Sequence, residues 1–122
     1  MPILDLELVC ATEAGDLSGL ARTLAEEAAS VLHSRPGSTW VKIHVLPSDR
    51  YAENGPPLAA DELPVFVKVL QREPPQGAPL EAEVAALTDT IARVLNRPCE
   101  RVHLEYLAPA AGRQSFGGRL VK

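Results

Sequence analysis

At 122 residues the chain fits one domain, long enough to remove roughly two-thirds of its unfolded surface from water on folding. Apolar residues make up 46% and aromatics only 4%, so the core must be aliphatic, built from Leu, Val, Ile and Ala. The net charge of −4 argues against the basic footprint of a nucleic-acid binder but leaves room for a local basic pocket that takes a small anion.

Two cysteines, Cys10 and Cys99, show neither a CxxC pattern nor metal-ligand spacing, and three scattered histidines add none. The N-terminus opens directly into MPILDLELV, without the basic and apolar regions of a signal peptide, and the apolar runs are too short to span a bilayer. The expectation is a cytoplasmic protein with reduced thiols, no cofactor, no metal and no membrane partner.

In chain order, the first segment, Pro2 to Val9, alternates as a half-buried strand does: Leu4, Leu6 and Leu8 on one face, Asp5 and Glu7 on the other. From Leu17 to Leu32 a helical stripe collects Leu20, Leu24, Ala28, Val31 and Leu32, and Pro36 stands past its end. Trp40 to Leu46 alternates again, with Val41, Ile43 and Val45 opposing Trp40, Lys42 and His44. The stretch Tyr51 to Glu62, rich in Pro, Gly and Asn, connects to a second series. That series repeats the first: Pro64 to Leu70 as a strand, Leu80 to Leu95 as a helix carrying Val84, Leu87, Ile91, Val94 and Leu95, and Arg101 to Leu107 as a strand. Pro64 follows Pro2 at an offset of 62, Pro98 follows Pro36 at 62, Val102 follows Val41 at 61, and Gly118 follows Gly55 at 63.

The expected fold class is α/β (α+β): two β-α-β repeats, 2–55 and 64–118, joined by a linker 56–63 within a single domain 1–122. They form one four-stranded mixed sheet with both helices on its aliphatic face, each strand–helix–strand crossover making a parallel pair. Parallel pairs usually have both faces covered, so the polar face, with Asp5, Glu7, Lys42, His44, Lys68, Arg101, His103 and Glu105, calls for another copy of the chain.

Chemistry concentrates at Met1-Pro2. Removal of Met1 before a small residue leaves a secondary amine at the start of a strand. A free α-amine has a pKa of about 7.7–8.0, and desolvation or nearby cations lower it toward a neutral general base. Proline also begins many strands for purely structural reasons. Pro64 is internal, and its amide nitrogen has no useful basicity.

With the Pro-Ile start, two β-α-β units of about sixty residues and the Phe116-Gly117-Gly118 tail ending in Leu-Val-Lys, the sequence resembles the tautomerase superfamily. The likeness is to fused two-repeat relatives of 4-oxalocrotonate tautomerase and covers nearly the whole chain. It implies an amino-terminal proline base, arginines that hold substrate carboxylates, and assembly as a homo-oligomer, expected to be a trimer. By this resemblance Thr12 stands where short-chain members place an arginine, and Lys42 and His103 take the place of the second-strand arginine in the two repeats. Arg72, just past the third strand, is then the best candidate for a carboxylate clamp.

Each candidate has a plainer alternative. Arg72 is suited to grip a carboxylate bidentately but also reads as a surface arginine beside Glu73. His103 can tune Pro2, donate a proton or simply occupy a polar sheet face between Arg101 and Glu105; Lys42 resembles it. Phe116 is a candidate wall for an apolar pocket near the proline, or a core residue, and Trp40 reads as packing or interface. Arg113 and Tyr51 are weaker candidates, and Glu26 and Glu27 belong to a solvated helix face. The leading expectation is enol–keto tautomerisation of a small carboxylate-bearing substrate, catalysed by Pro2 with Arg72, His103, Lys42 and Phe116 as substrate-binding residues. The rivals are decarboxylation or hydration-type dehalogenation with Glu105 or Glu53 activating water, and a non-catalytic oligomeric module.

Overall fold

Alternating apolar side chains make the two central strands, and a computed structural model, which describes residues 2–11 and 17–122, shows how they meet. Strand β1 (Ile3–Cys10) buries Leu4, Leu6 and Leu8; β3 (Val65–Leu70) buries Val65, Val67 and Val69. They run antiparallel, with Leu4 opposite Val69, Leu6 opposite Val67 and Leu8 opposite Val65, so six branched side chains share one face of the sheet. Helices α1 (Ser18–Val31) and α2 (Ala78–Leu95) cover that face with Leu24, Ala28, Leu87 and Ile91, all fully buried. Each buried Leu, Val or Ile side chain contributes roughly 1.5–3 kcal/mol, which makes this layer the main source of stability.

Strand β2 (Trp40–Pro47) pairs parallel with β1, and β4 (Val102–Tyr106) pairs parallel with β3, giving the order β2-β1-β3-β4. The four-stranded mixed sheet with two helices on one face is the architecture that the sequence repeat implies. Helix α2 starts at Ala78, two residues before the expected Leu80, because Gly77 adopts a left-handed φ of 65° and Pro79 enters the first turn. Beyond β4 the chain adds a short hairpin, β5 (Ser115–Phe116) and β6 (Arg119–Leu120). Its two-residue turn places Gly117 and Gly118 at φ 58° and 85°, the double positive φ that favours glycine.

The uncovered face carries an ordered charge row. Lys42, Asp5, Lys68 and Glu105 stand side by side across all four strands, alternating in sign. Asp5 reaches both Lys42 (3.5 Å) and His44 (3.3 Å). Among the described residues no helix is long and apolar enough to cross a membrane, and no three His, Cys, Asp or Glu side chains form a metal-binding cluster. Cys10 and Cys99 are both free thiols.

One polar strut ties α2 to the sheet. Glu83 accepts a hydrogen bond from the Tyr106 hydroxyl at 2.6 Å and a longer one from the Gln71 carboxamide at 3.4 Å. Burial first, then the bond to Glu83 and its charge, push the Tyr106 phenol well above the ordinary tyrosine range. Below the unfolded tyrosine pKa of about 10 both states keep the proton and the strut is intact. Above it the unfolded chain ionises first, so stability falls as pH rises toward the folded value. Urea unfolding at increasing pH should show this loss above about pH 10, and Tyr106→Phe should remove that component. A Tyr106 that ionises in the folded protein like a free tyrosine would contradict the assignment.

Candidate active site

Pro2 sits at the mouth of the sheet, half-buried, with its carbonyl accepting a hydrogen bond from the Trp40 amide at 3.0 Å. That bond extends the β1–β2 ladder by one residue and holds the Pro2 main chain just ahead of β1. The walls around Pro2 come from two connections. Helix α1 ends where His33 takes a left-handed φ of 52°, and the Ser34 amide returns to the Ala29 carbonyl. The chain then turns tightly, Ser38 amide to Arg35 carbonyl, and enters β2. The segment after β3 supplies Gln71, Arg72 and Glu73. Together Pro2, Ser34, Arg35, Ser38, Gln71 and Arg72 lead the lining of a cleft of about 280 Å³, which Leu32, His33 and Glu73 complete.

A second hollow of about 220 Å³ opens beside it and shares Arg35 and Ser38. Trp40 and Phe116 form its aromatic wall, packed edge to face with centroids 5.1 Å apart. The Trp40 indole N–H donates to the Gly37 carbonyl at 3.0 Å, which holds the ring in place. The β5–β6 hairpin is therefore what carries Phe116 to this end of the sheet. The combined cleft is cationic and polar at Pro2 and aromatic at its far side.

Two of the residues expected from sequence, Arg72 and Phe116, thus lie at the Pro2 end. Arg72 lines the cleft and donates through Nε to the Lys122 main-chain oxygen. Lys42 lies one pleat further along the outer face, paired with Asp5. His103 is further away: its register partner is Phe66, itself opposite Glu7, and the His103 ring stacks on Phe66 at 5.5 Å. Within one chain neither Lys42 nor His103 lines the cleft. Thr12 lies outside the described residues.

The carboxylates weighed as water activators are engaged elsewhere. Glu53 accepts from the Tyr51 hydroxyl at 2.7 Å and pairs with Arg101, and these contacts hold its carboxyl below the usual range. It borders a larger cleft of about 400 Å³ at the opposite end of the sheet, with Ser48, Tyr51, Pro56, Leu58 and Leu63. Glu105 belongs to the outer charge row, opposite Lys68.

Arg35 is a cleft residue that reading the sequence missed. The signal was present in the repeat: Arg35-Pro36 recurs as Arg97-Pro98, each just after a helix that ends on a left-handed residue, His33 or Asn96. The two arginines have opposite fates. Arg97 donates to the carbonyls of Leu63 (2.7 Å) and Val9 (2.9 Å), clamping the strand ends around Pro64. Arg35, its counterpart at the Pro2 end, is exposed and borders both halves of the cleft. Arg97→Ala should therefore lower stability by about 1–3 kcal/mol through the carbonyls left unpaired, whereas Arg35→Ala should change it by less than about 0.5 kcal/mol. Chemical denaturation of the two variants checks this contrast, and equal losses would refute it.

No family model and no curated protein sequence matches the chain. Solved structures match its shape closely. A fused 4-OT, described as a wild-type asymmetric trimer, superposes with a TM-score of 0.76 at 18% identity, covering 97% of this chain and 94% of that one. Pt0534 inactivated by 2-oxo-3-pentynoate gives a TM-score of 0.75 at 19% identity, with the same shares covered. A macrophage migration inhibitory factor-like protein from Entamoeba histolytica gives 0.74 at 9% identity, covering 98% of this chain and 97% of that one. Over nearly its whole length the chain thus has the fold of the fused 4-OT and macrophage migration inhibitory factor-like structures.

Proposed function

We propose that the chain is a cofactor-independent tautomerase acting on a small carboxylate-bearing substrate, with Pro2, freed by removal of Met1, as general base. The observation that carries this reading is that Pro2 opens into a cleft bordered by two arginines, Arg35 and Arg72. A guanidinium presents paired N–H donors that match a carboxylate, so either arginine can hold the substrate's acid group. Their positive charge also disfavours the ammonium form of Pro2 and leaves its lone pair available near neutral pH.

The proposed step is a balanced proton shuttle. The Pro2 nitrogen takes a proton from the substrate, the electron pair released spreads over the enol–keto system, and the Pro2 ammonium returns a proton at the other terminus. One proton leaves and one arrives, and nothing is oxidised or reduced. Phe116 and Trp40 wall the apolar side of the cleft and exclude water from the reacting carbon.

Three of the fused 4-OT structures are described as trimers. The same reading assigns this chain, as a single cytoplasmic domain, to a homotrimer whose subunits cover one another's polar sheet face. Lys42 and His103, both on that face, then serve substrate binding only across a subunit boundary.

Pt0534 is described as inactivated by 2-oxo-3-pentynoate, an electrophilic acid suited to testing the Pro2 amine here. The native-start protein should gain one adduct of this reagent on Pro2, located by peptide mass spectrometry. Arg35→Ala and Arg72→Ala should each weaken capture about ten- to a hundredfold, the range for losing a charge-assisted hydrogen bond. A Pro2 free of Met1 that stays unlabelled would overturn the general-base assignment and favour a non-catalytic module.

A further inference from the structure

We propose that Gln71 is a positioning residue for Pro2: its side-chain oxygen accepts a hydrogen bond from the Pro2 amine, aiming the lone pair into the cleft and supporting the ammonium form. This rests on the reading of Pro2 as a free amine and adds the group that controls it.

The register puts the two residues together. Ile3 pairs with Leu70 in the antiparallel seam, so one step further Pro2 stands opposite Gln71. Both follow the alternation of Leu4 and Val69, whose side chains face the helices, and both line the same cleft. The Gln71 main chain is held there by the Ala110 amide, which donates to its carbonyl at 2.8 Å.

The orientation of the carboxamide follows from its other partner. Glu83 offers only acceptor oxygens, so the amide nitrogen of Gln71 must turn toward it, and it does so at 3.4 Å. The second Glu83 oxygen is occupied by the Tyr106 hydroxyl, which keeps the carboxylate from rotating away. The Gln71 oxygen is left pointing elsewhere, buried and, among the described residues, without a hydrogen-bond partner. An acceptor in that state is costly unless a donor comes to it. The neutral Pro2 amine has one N–H and one lone pair. Giving the N–H to Gln71 leaves the lone pair for the substrate, and the ammonium formed after proton abstraction keeps the same bond.

The charge environment then has two opposing sides. Arg35 and His33 from the α1–β2 connection, with Arg72 from the segment after β3, disfavour a cationic Pro2 when charged. Glu73 from that same segment and Glu83 on α2, acting through Gln71, favour it; Tyr106 on β4 stays neutral. Gln71 is the one of these groups that bonds the amine directly.

The test is the pH dependence of Pro2 alkylation by 2-oxo-3-pentynoate, followed by mass spectrometry on the full chain with Met1 absent. Gln71→Met removes the acceptor, and the midpoint of the rate profile should fall by about one pH unit. Gln71→Glu keeps an acceptor oxygen and adds charge, and the midpoint should rise. Circular dichroism confirms that both variants fold, and if one does not, the other decides alone. A midpoint unmoved in a folded variant, or moved the same way in both, overturns the proposal while leaving Pro2 as the base. A wild-type protein unlabelled at every pH removes the base, and the role of Gln71 with it.

Discussion

The antiparallel seam between β1 and β3 is the contact on which everything else depends. Each β-α-β half can pair its own two strands, but neither half can cover its apolar face alone. Joining Leu4, Leu6 and Leu8 to Val65, Val67 and Val69 creates a surface wide enough for two helices to cover. Because the seam is antiparallel, the start of one repeat meets the end of the other's first strand. Pro2 therefore meets residues 71–73, far away in sequence and chemically unlike it. A parallel seam would have brought Pro2 beside Pro64 instead.

The architecture was legible in the sequence because its causes are local. Alternation in Leu4–Leu8 and Val65–Val69 specifies strands, the stripes ending in Leu32 and Leu95 specify helices, and the 62-residue offset specifies the repeat. The cleft was legible only in part. Pro2 and Arg72 carry distinctive chemistry wherever they fall, and Phe116 sits beside a glycine pair that marks a turn. Arg35 was hidden because an arginine before a proline, past a helix, reads as ordinary punctuation. Gln71 was hidden for a different reason: an uncharged amide becomes informative only when Glu83, Tyr106 and Pro2 are placed around it. Lys42 and His103 have suitable chemistry, but their strand positions set them along the outer face, beside Asp5 and Phe66.

That outer face has a logic of its own. The row Lys42, Asp5, Lys68, Glu105 alternates in sign across four strands, so each charge has an opposite neighbour. Exposed pairs of this kind add little stability, at most about 1 kcal/mol each. They do keep a broad half of the sheet polar and fix which registers of a covering surface are electrostatically acceptable.

The opposite fates of Arg35 and Arg97 show what fusing two repeats makes possible. In an assembly of identical single repeats, one codon decides both ends of the sheet, so a residue recruited to brace the fold is recruited everywhere. Here the two ends answer to different codons. The Arg97 end has been closed by hydrogen bonds to main-chain carbonyls, while the Arg35 end keeps its cation at the edge of an open cleft. One end can thus be braced while the other stays open, and either end is free to vary without altering the other.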